Sequence, residues 1–181
     1  AALNVMRHGR LHRYNVTEAE LGETALLEQE FAAQVGAKYC LAVASGGYAL
    51  ATALRAIGVK HGDRVLTNAF TLAPVPGSIA AVGATPVFVG VTEELTIDLE
   101  DLAAKADQAT VLMLSHMRGH LCDMDRLMQI CDAAGITVIE DCAHTMGAAW
   151  NGVASGRVGA VGCYSCQTYK HVNSGEGGLL I

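Results

Sequence analysis

The feature that most constrains the fold is a regular alternation of short apolar runs and longer amphipathic stretches, which begins near residue 23. The short runs predict strands at Tyr39–Val43, Arg64–Thr67, Pro86–Val91, Val111–Ser115, Ile136–Glu140, Val161–Ser165 and Gly178–Ile181. The longer stretches predict helices at Glu23–Val35, Tyr48–Ile57, Pro76–Val82, Leu99–Ala106 and Met124–Ala134. Strands that are joined through helices usually run parallel to one another in the same sheet. The pattern therefore predicts an α/β protein with a doubly wound, mainly parallel sheet.

Two local signals refine this outline. Asn151-Gly152 predicts a tight turn between two short strands, so we expect an excursion from the sheet between residues 148 and 158. The last predicted strand, Gly178–Ile181, is followed by no terminating element. We therefore expect that the domain is incomplete in this chain.

Composition excludes several classes of function. The 51% hydrophobic content excludes a disordered protein, and 18 acidic against 12 scattered basic residues argue against nucleic acid as a partner. No apolar run reaches about 18 residues, and the first ten residues contain no apolar segment of a signal peptide. We expect no membrane contact and a cytoplasmic location.

The six cysteines are expected to be reduced and mostly buried. Cys163 and Cys166 have the spacing of a redox or zinc pair. They stand without a second pair, however, and they overlap a predicted buried strand. A structural role is favoured, and no metal site is predicted.

Candidate functional residues follow the predicted strands, because ligands of open α/β sheets bind beyond the carboxyl ends of the strands. Ser45-Gly46-Gly47 follows the first strand and opens a helix, where free N–H groups can hold a phosphate, although such glycines are often only turn residues. Asp141 follows an apolar strand, and its carboxylate could keep a cationic ring nitrogen protonated. His116 also follows a strand, but a lone histidine is more often structural.

Lys170 is the fourth candidate. It lies between the predicted strand Val161–Ser165 and the glycine-rich segment Gly175–Gly178. The other three lysines occupy helical or helix-end contexts that are typical of solvated side chains: Lys38, Lys60 and Lys105. A lysine shielded beside such a loop can have its pKa lowered enough to form a Schiff base.

Five segments, taken in order, resemble the DegT/DnrJ/StrS family of fold type I enzymes that use pyridoxal 5'-phosphate (PLP). They are SGGYAL, FTLAP, SHMRGHLCDMD, EDCAHTMGA and SCQTYKHVNSGEGG. The resemblance implies that Lys170 is catalytic and binds PLP covalently, and that Asp141 pairs with the pyridine nitrogen. It further implies that the phosphate is bound by the backbone of Gly46 and Gly47 and by the Ser165 hydroxyl.

Three positions depart from the family pattern. His144 stands where many members carry a glutamine that contacts the phenolic oxygen of the cofactor, and a histidine could donate the same hydrogen bond. Leu72 stands where an aromatic ring commonly stacks on the cofactor, so we expect an apolar contact instead. Arg118 stands where a tyrosine is frequent, and it is expected either to meet an anionic substrate group or to lie at the surface.

The resemblance implies an aminotransferase that moves an amino group from glutamate or glutamine to a keto sugar, expected on a nucleotide carrier. Alternatives are an aminotransferase for a non-nucleotide cyclic ketone and a sugar dehydratase, although dehydratases of the family carry histidine in place of Lys170. A nucleotide-binding regulatory module without catalysis is the alternative from another class.

The resemblance also predicts the domain organisation and the assembly. Residues 1–22 are expected to form an N-terminal arm, and residues 23–181 an incomplete PLP-binding large domain. The small C-terminal domain of the family is expected to be absent from this chain. Fold type I enzymes build their sites at dimer interfaces, so a homodimer is expected.

Overall fold

The computed structural model describes residues 2–9, 13–14 and 21–181. Its strands are β1 (Leu41–Val43), β2 (Arg64–Asn68), β3 (Thr85–Val89), β4 (Val111–Ser115), β5 (Thr137–Asp141), β6 (Ala149–Trp150), β7 (Val153–Ala154), β8 (Val161–Ser165) and β9 (Gly178–Leu180). Seven of them form one sheet in the order β1-β9-β8-β5-β4-β2-β3. Six strands of this sheet run in one direction, and only β9 runs in the other. The predicted mainly parallel sheet is confirmed.

The helices are α1 (Ala2–His8), α2 (Glu23–Val35), α3 (Gly46–Ala56), α4 (Pro74–Ala81), α5 (Leu99–Ala104) and α6 (Met124–Ala134). The predicted helices and strands end within two residues of the observed ones. Within the described ranges, no helix has both the length and the apolar character needed to cross a bilayer. Of the predicted N-terminal arm, the structure describes residues 2–9, which include α1, and residues 13–14 and 21–22; the rest of this prediction lies outside the described residues.

Side chains at the helix ends explain why several elements begin and end where they do. Asp98 precedes α5 and accepts hydrogen bonds from the backbone N–H groups of Glu100 and Asp101. Asp123 precedes α6 in the same way, and Gly135 ends that helix in the left-handed conformation, with φ of 68°. Short polar side chains and glycine thus set the limits that the apolar periodicity only approximates.

The β6–β7 hairpin confirms the predicted turn. Asn151 and Gly152 both have positive φ, 48° and 81°, as the two central residues of a type I′ turn require. The hairpin forms a separate two-stranded sheet beside the main one. The excursion therefore interrupts the alternating pattern without changing the order of the main sheet.

The core lies on both faces of the main sheet. Successive residues of a strand point to opposite faces, so Met113 of β4 packs with α3 and α4, whereas Leu112 and Leu114 pack with α5 and α6. All three side chains are buried. Because helices cover both faces, the edge at the carboxyl ends of the parallel strands is the place where the sheet can hold a ligand.

Candidate active site

A pocket of about 360 Å³ opens at the carboxyl ends of β1, β5 and β8. Its size falls in the range of roughly 300–1,000 Å³ that is usual for small-molecule sites. The pocket is lined by all seven residues that the sequence predicts for the site: Gly46, Gly47, Leu72, Asp141, His144, Ser165 and Lys170. The structure therefore brings together side chains that lie far apart in the sequence.

The start of α3 forms one wall of the pocket. Ser45 is its N-cap, and its hydroxyl accepts a hydrogen bond of 3.1 Å from the Tyr48 N–H. Gly46 and Gly47 follow as the first helical residues, whose N–H groups have no partner within the helix. A Cβ atom on Gly46 would lie 2.8 Å from Cβ of Ser165, so only glycine allows the helix to approach β8 so closely. The helix start with its free N–H groups and the Ser165 side chain therefore lie side by side in the wall of the pocket, where an anion can bind.

Asp141 is held at the end of β5 by hydrogen bonds to both carboxylate oxygens. Its Oδ1 atom accepts a bond of 3.1 Å from the Ala143 N–H, and its Oδ2 atom accepts one of 3.2 Å from Ser115 Oγ. Ser115 Oγ in turn accepts a bond of 2.8 Å from Thr71 Oγ1. Burial raises the pKa of Asp141, and the bonds from Ala143 and Ser115 oppose that rise. A cationic ligand group beside Asp141 would find a fixed carboxylate.

Lys170 and His144 contact each other inside the pocket. Lys170 Nζ lies 2.8 Å from His144 Nε2, and the backbone N–H of Arg118 donates to His144 Nδ1 at 3.2 Å. Burial lowers the pKa of Lys170; the carboxylate of Asp141 opposes this shift, and the charge of Arg118 adds to it. Burial also lowers the pKa of His144, with the charge of Lys170 as the next cause. An amine with a lowered pKa can attack a carbonyl group.

Leu72 and Arg118, the two other residues that depart from the family pattern, differ in their relation to the pocket. Leu72 lines the pocket with 45% of its surface exposed, so it offers an apolar contact to a ligand. Arg118 is exposed, and the contact that joins it to the site is the bond from its backbone N–H to His144. It adopts a left-handed conformation, with φ of 59° and ψ of 17°.

Glu140 and His116 form a buried pair whose connections sequence reasoning missed. Each side chain is 1% exposed, and His116 Nε2 lies 2.9 Å from Glu140 Oε2. Backbone N–H groups complete the coordination of the Glu140 carboxylate, at 2.6 to 2.9 Å: those of Gly156, Val158 and Gly159. The signal in the sequence was that Glu140 is an acidic residue within an apolar strand. Because consecutive strand residues point to opposite faces of a sheet, Glu140 must face away from the side that Asp141 faces.

The buried cysteines do not add a second site. Cys142 Sγ lies near His116 and Glu140 in a group that could geometrically hold a metal ion. The Glu140 oxygens already accept four hydrogen bonds, however, so they have no free position for a cation. Cys163 and Cys166 are buried free thiols whose pKa is raised by burial, which agrees with the structural role predicted for them.

The doubly wound sheet, with a lysine, a carboxylate and an anion-binding helix start at one edge, has the architecture of the large domain of fold type I PLP-dependent enzymes. The profile of the DegT/DnrJ/EryC1/StrS aminotransferase family matches residues 11–181, and the chain belongs to that family. The resemblance seen in the sequence is confirmed.

Individual relatives agree with this assignment. The chain is 38% identical, over 84% of its length, to a protein of Micromonospora echinospora named as an L-glutamine:3-amino-2,3-dideoxy-scyllo-inosose aminotransferase, of which it covers 37%. It is 36% identical, over 85% of its length, to a GDP-perosamine synthase of Vibrio cholerae, of which it covers 42%. The structure of an aminotransferase from Psychrobacter cryohalolentis superposes with a TM-score of 0.88 at 34% identity, over 98% of this chain and 45% of that one. The chain thus spans less than half the length of these relatives.

Proposed function

We propose that this chain is the cofactor-binding part of a PLP-dependent aminotransferase, which moves an amino group from glutamate or glutamine to a keto sugar on a nucleotide carrier. The observation that carries the proposal is the shared pocket of Lys170, Asp141 and the start of α3. A lysine, a carboxylate and an anion-binding helix start are the three groups that covalent PLP chemistry requires at one place.

The residues of the pocket fit the chemical groups of PLP, which is the cofactor of this family. Lys170 supplies the amine that would bind the aldehyde. Asp141 would pair with the pyridine nitrogen and keep it protonated. The phosphate would be held at the cradle that the missing Cβ of Gly46 leaves open beside Ser165. When bound, PLP supplies a ring that withdraws electrons from the carbon bearing the amino group.

The side chains then have separable tasks. The Lys170 amine, when free, would carry a proton to and from the α-carbon of the amino donor as a general acid and base. His144 would donate from Nε2 to the phenolic oxygen, and Leu72 would cover one face of the ring. Asp141 keeps its orientation throughout, because both of its oxygens are hydrogen-bonded.

A second candidate is an aminotransferase for a cyclic ketone without a nucleotide carrier. The name of the Micromonospora relative, which specifies an aminated scyllo-inosose, supports it, whereas the name of the Vibrio relative supports a nucleotide-linked sugar. Lys170, where the family's dehydratases carry histidine, favours transamination over dehydration. A regulatory module that only binds nucleotides would not need Lys170 beside Asp141.

We also propose that the protein acts as a homodimer. Several apolar side chains in the segments that form the pocket are exposed at 45 to 90%: Tyr48, Leu72, Tyr169 and Val172. Exposed apolar surface of this kind around a pocket is typical of a surface that a partner covers. A second copy of the chain is the partner that the family predicts.

Reduction of the cofactor-loaded protein tests the covalent bond. We expect the protein with PLP to absorb visible light and borohydride to abolish that absorbance. The reduced cofactor should then remain attached, as a covalent label, to the peptide that contains Lys170. Lys170→Arg keeps a long side chain but has no primary amine to bind an aldehyde, so it should leave no label. Label on another lysine, or none on either protein, would contradict the proposal.

Amino donors and keto acceptors then identify the substrates. Glutamate or glutamine should change the visible absorbance of the bound cofactor, and the correct keto substrate should reverse the change. Matched nucleotide-linked sugars and free cyclic ketones separate the two candidates, because only one class should restore the original spectrum.

A further inference from the structure

Three groups in the pocket form a short chain of hydrogen bonds. The backbone N–H of Arg118 points to His144 Nδ1 at 3.2 Å, and His144 Nε2 lies 2.8 Å from Lys170 Nζ. The first bond has a fixed direction, because a backbone N–H can only donate. Nδ1 of His144 must therefore be the acceptor and cannot carry a proton.

This direction decides the second bond. A histidine without a proton on Nδ1 carries its proton on Nε2, so the ring is neutral and Nε2 donates. The group that accepts from Nε2 is the amine of Lys170. An ammonium group has three donors and no lone pair, so Lys170 can accept only as the uncharged amine.

The backbone at Arg118 explains how the first bond is held. Its φ of 59° belongs to the left-handed region, which a non-glycine residue seldom adopts. Gly119 follows, also with positive φ, at 85°. Such strained positions persist where the surrounding structure requires them, and they cluster at functional sites. Here the strained turn presents its N–H group to His144.

We propose that the left-handed turn at Arg118 fixes His144 as the tautomer protonated on Nε2, and that this tautomer holds Lys170 as an uncharged amine. The inference deepens the proposed function, on which its catalytic meaning rests. Arg118 is then a positioning residue that acts through its backbone. A ligand oxygen that takes over the His144 hydrogen bond would free the lone pair of Lys170 for attack.

The charges around the two groups are divided between the protonated and the unprotonated forms. The negative charge of Asp141, at the end of β5, favours the protonated forms of Lys170 and His144. Arg118 opposes both protonated forms, and His171 opposes that of His144. Burial lowers the pKa of both groups and is the largest cause for each, so it favours the uncharged amine and the neutral ring.

Nuclear magnetic resonance can read the tautomer directly. The full-length protein, freed of cofactor and labelled with ¹⁵N-histidine, should show His144 protonated on Nε2 alone at neutral pH. His144→Gln assigns the signal by removing it. A ring protonated on Nδ1, or on both nitrogens, would overturn the proposal. Because no PLP is present, this result does not depend on whether the proposed function is correct.

Two variants of Arg118 separate the backbone from the guanidinium group. Arg118→Gly and Arg118→Val both remove the charge, but glycine accepts positive φ and a β-branched residue does not. We expect Arg118→Gly to keep the Nε2 tautomer, and Arg118→Val to lose part of it. Equal spectra for the two variants would contradict the role of the left-handed turn.

The charge state of Lys170 is measured by the pH dependence of its acylation, with exposed Lys60 as an internal reference for the reagent. His144→Phe removes the donor to the amine, so the apparent pKa of Lys170 should rise by roughly half to one unit. His144→Gln keeps an N–H donor and should shift it less. If His144→Phe leaves the titration of Lys170 unchanged, the amine does not accept from His144.

Discussion

At the scale of single residues, Gly46 and Gly47 are neighbours with different surroundings. A Cβ atom on Gly46 would lie 2.8 Å from Cβ and 3.3 Å from Cα of Ser165. The atom nearest to a Cβ on Gly47 is Pro74 Cβ at 3.8 Å, an ordinary contact. Gly46 is therefore the residue that sets the distance between α3 and β8.

We predict that Gly46→Ala lowers the free energy of unfolding by about 1–3 kcal/mol, because the helix must move away from Ser165. Gly47→Ala is the matched control, and it should be neutral or stabilising by up to about 1 kcal/mol, since alanine favours a helix. Urea unfolding of the cofactor-free proteins measures both changes. Equal stability of the two variants would show that the contact with Ser165 is not tight.

Asp141 should reduce stability in the absence of a cationic partner. Its pKa is raised in the folded state, chiefly by burial, so folding favours the protonated form. The unfolded chain binds fewer protons, and stability falls as the pH rises from the ordinary carboxyl pKa of 3.8 through the raised value.

Asp141→Asn should remove this loss. We predict that the free energy of unfolding at neutral pH rises or stays within about 0.5 kcal/mol, while the affinity for PLP falls. Unfolding curves of both proteins between acidic and neutral pH test the sign. A variant that is less stable at neutral pH, but not at acidic pH, would contradict it.

The sequence identified seven of the residues that line the pocket, because they stand at or shortly after the ends of predicted strands, in segments that resemble the family. It did not reveal the contribution of Arg118, which is made by the backbone and leaves no trace in the side-chain type. It also left open the protonation of His144, which depends on a contact with a residue 26 positions away.

At the scale of elements, Glu140 joins three segments behind the pocket. Its carboxylate accepts bonds from His116 after β4 and from the loop of residues 156–159, which leads into β8. Burial alone would raise the pKa of Glu140, but the bonds from His116, Gly159 and Gly156 lower it overall. Its contribution to stability is therefore present above the ordinary carboxyl pKa and is lost as the pH falls through the lowered value.

We predict that Glu140→Gln costs about 3 kcal/mol at neutral pH, because the amide NH₂ group would face backbone donors. Glu100→Gln is the control: its carboxylate is 77% exposed and pairs with Arg126, so the change should stay within about 0.5 kcal/mol. Thermal unfolding compares them. A Glu140 variant as stable as the control would show that the four bonds are not needed.

The type of each element could be predicted from the sequence, because short continuous apolar runs are typical of buried strands and longer amphipathic stretches are typical of helices. The limits were less certain because they depend on caps and on pairing. α3 begins at Gly46, two residues before the first large side chain, because Ser45 caps it. The antiparallel direction of β9 could not be read from its apolar residues, which carry no direction.

At the scale of the whole molecule, exposed apolar side chains lie both beside the pocket and away from it. Val172 is 56% exposed near Lys170, whereas Val153 is 45% exposed on the separate β6–β7 hairpin. If a second copy covers the pocket, the two valines have different environments in the assembly.

We predict that the protein sediments as a dimer and that Val172→Glu shifts it towards the monomer, because a charge would be buried in the interface. Val153→Glu, with a similar exposure in the monomer, should leave the dimer intact. Sedimentation velocity at several concentrations measures both. A monomeric parent protein, or equal behaviour of the two variants, would contradict the proposed assembly.

The single reversed strand, β9, has a consequence for the motion of Lys170. It returns the chain beside β8, so residues 166–177 form a long hairpin loop whose base is fastened by bonds of 2.9 Å from Cys166 N to Gly177 O and from Ser174 N to Cys166 O. The loop therefore starts and finishes on the same rigid support. We therefore expect the amine to leave and regain its place by rotation about its own side-chain bonds, while the main chain of the loop stays in position.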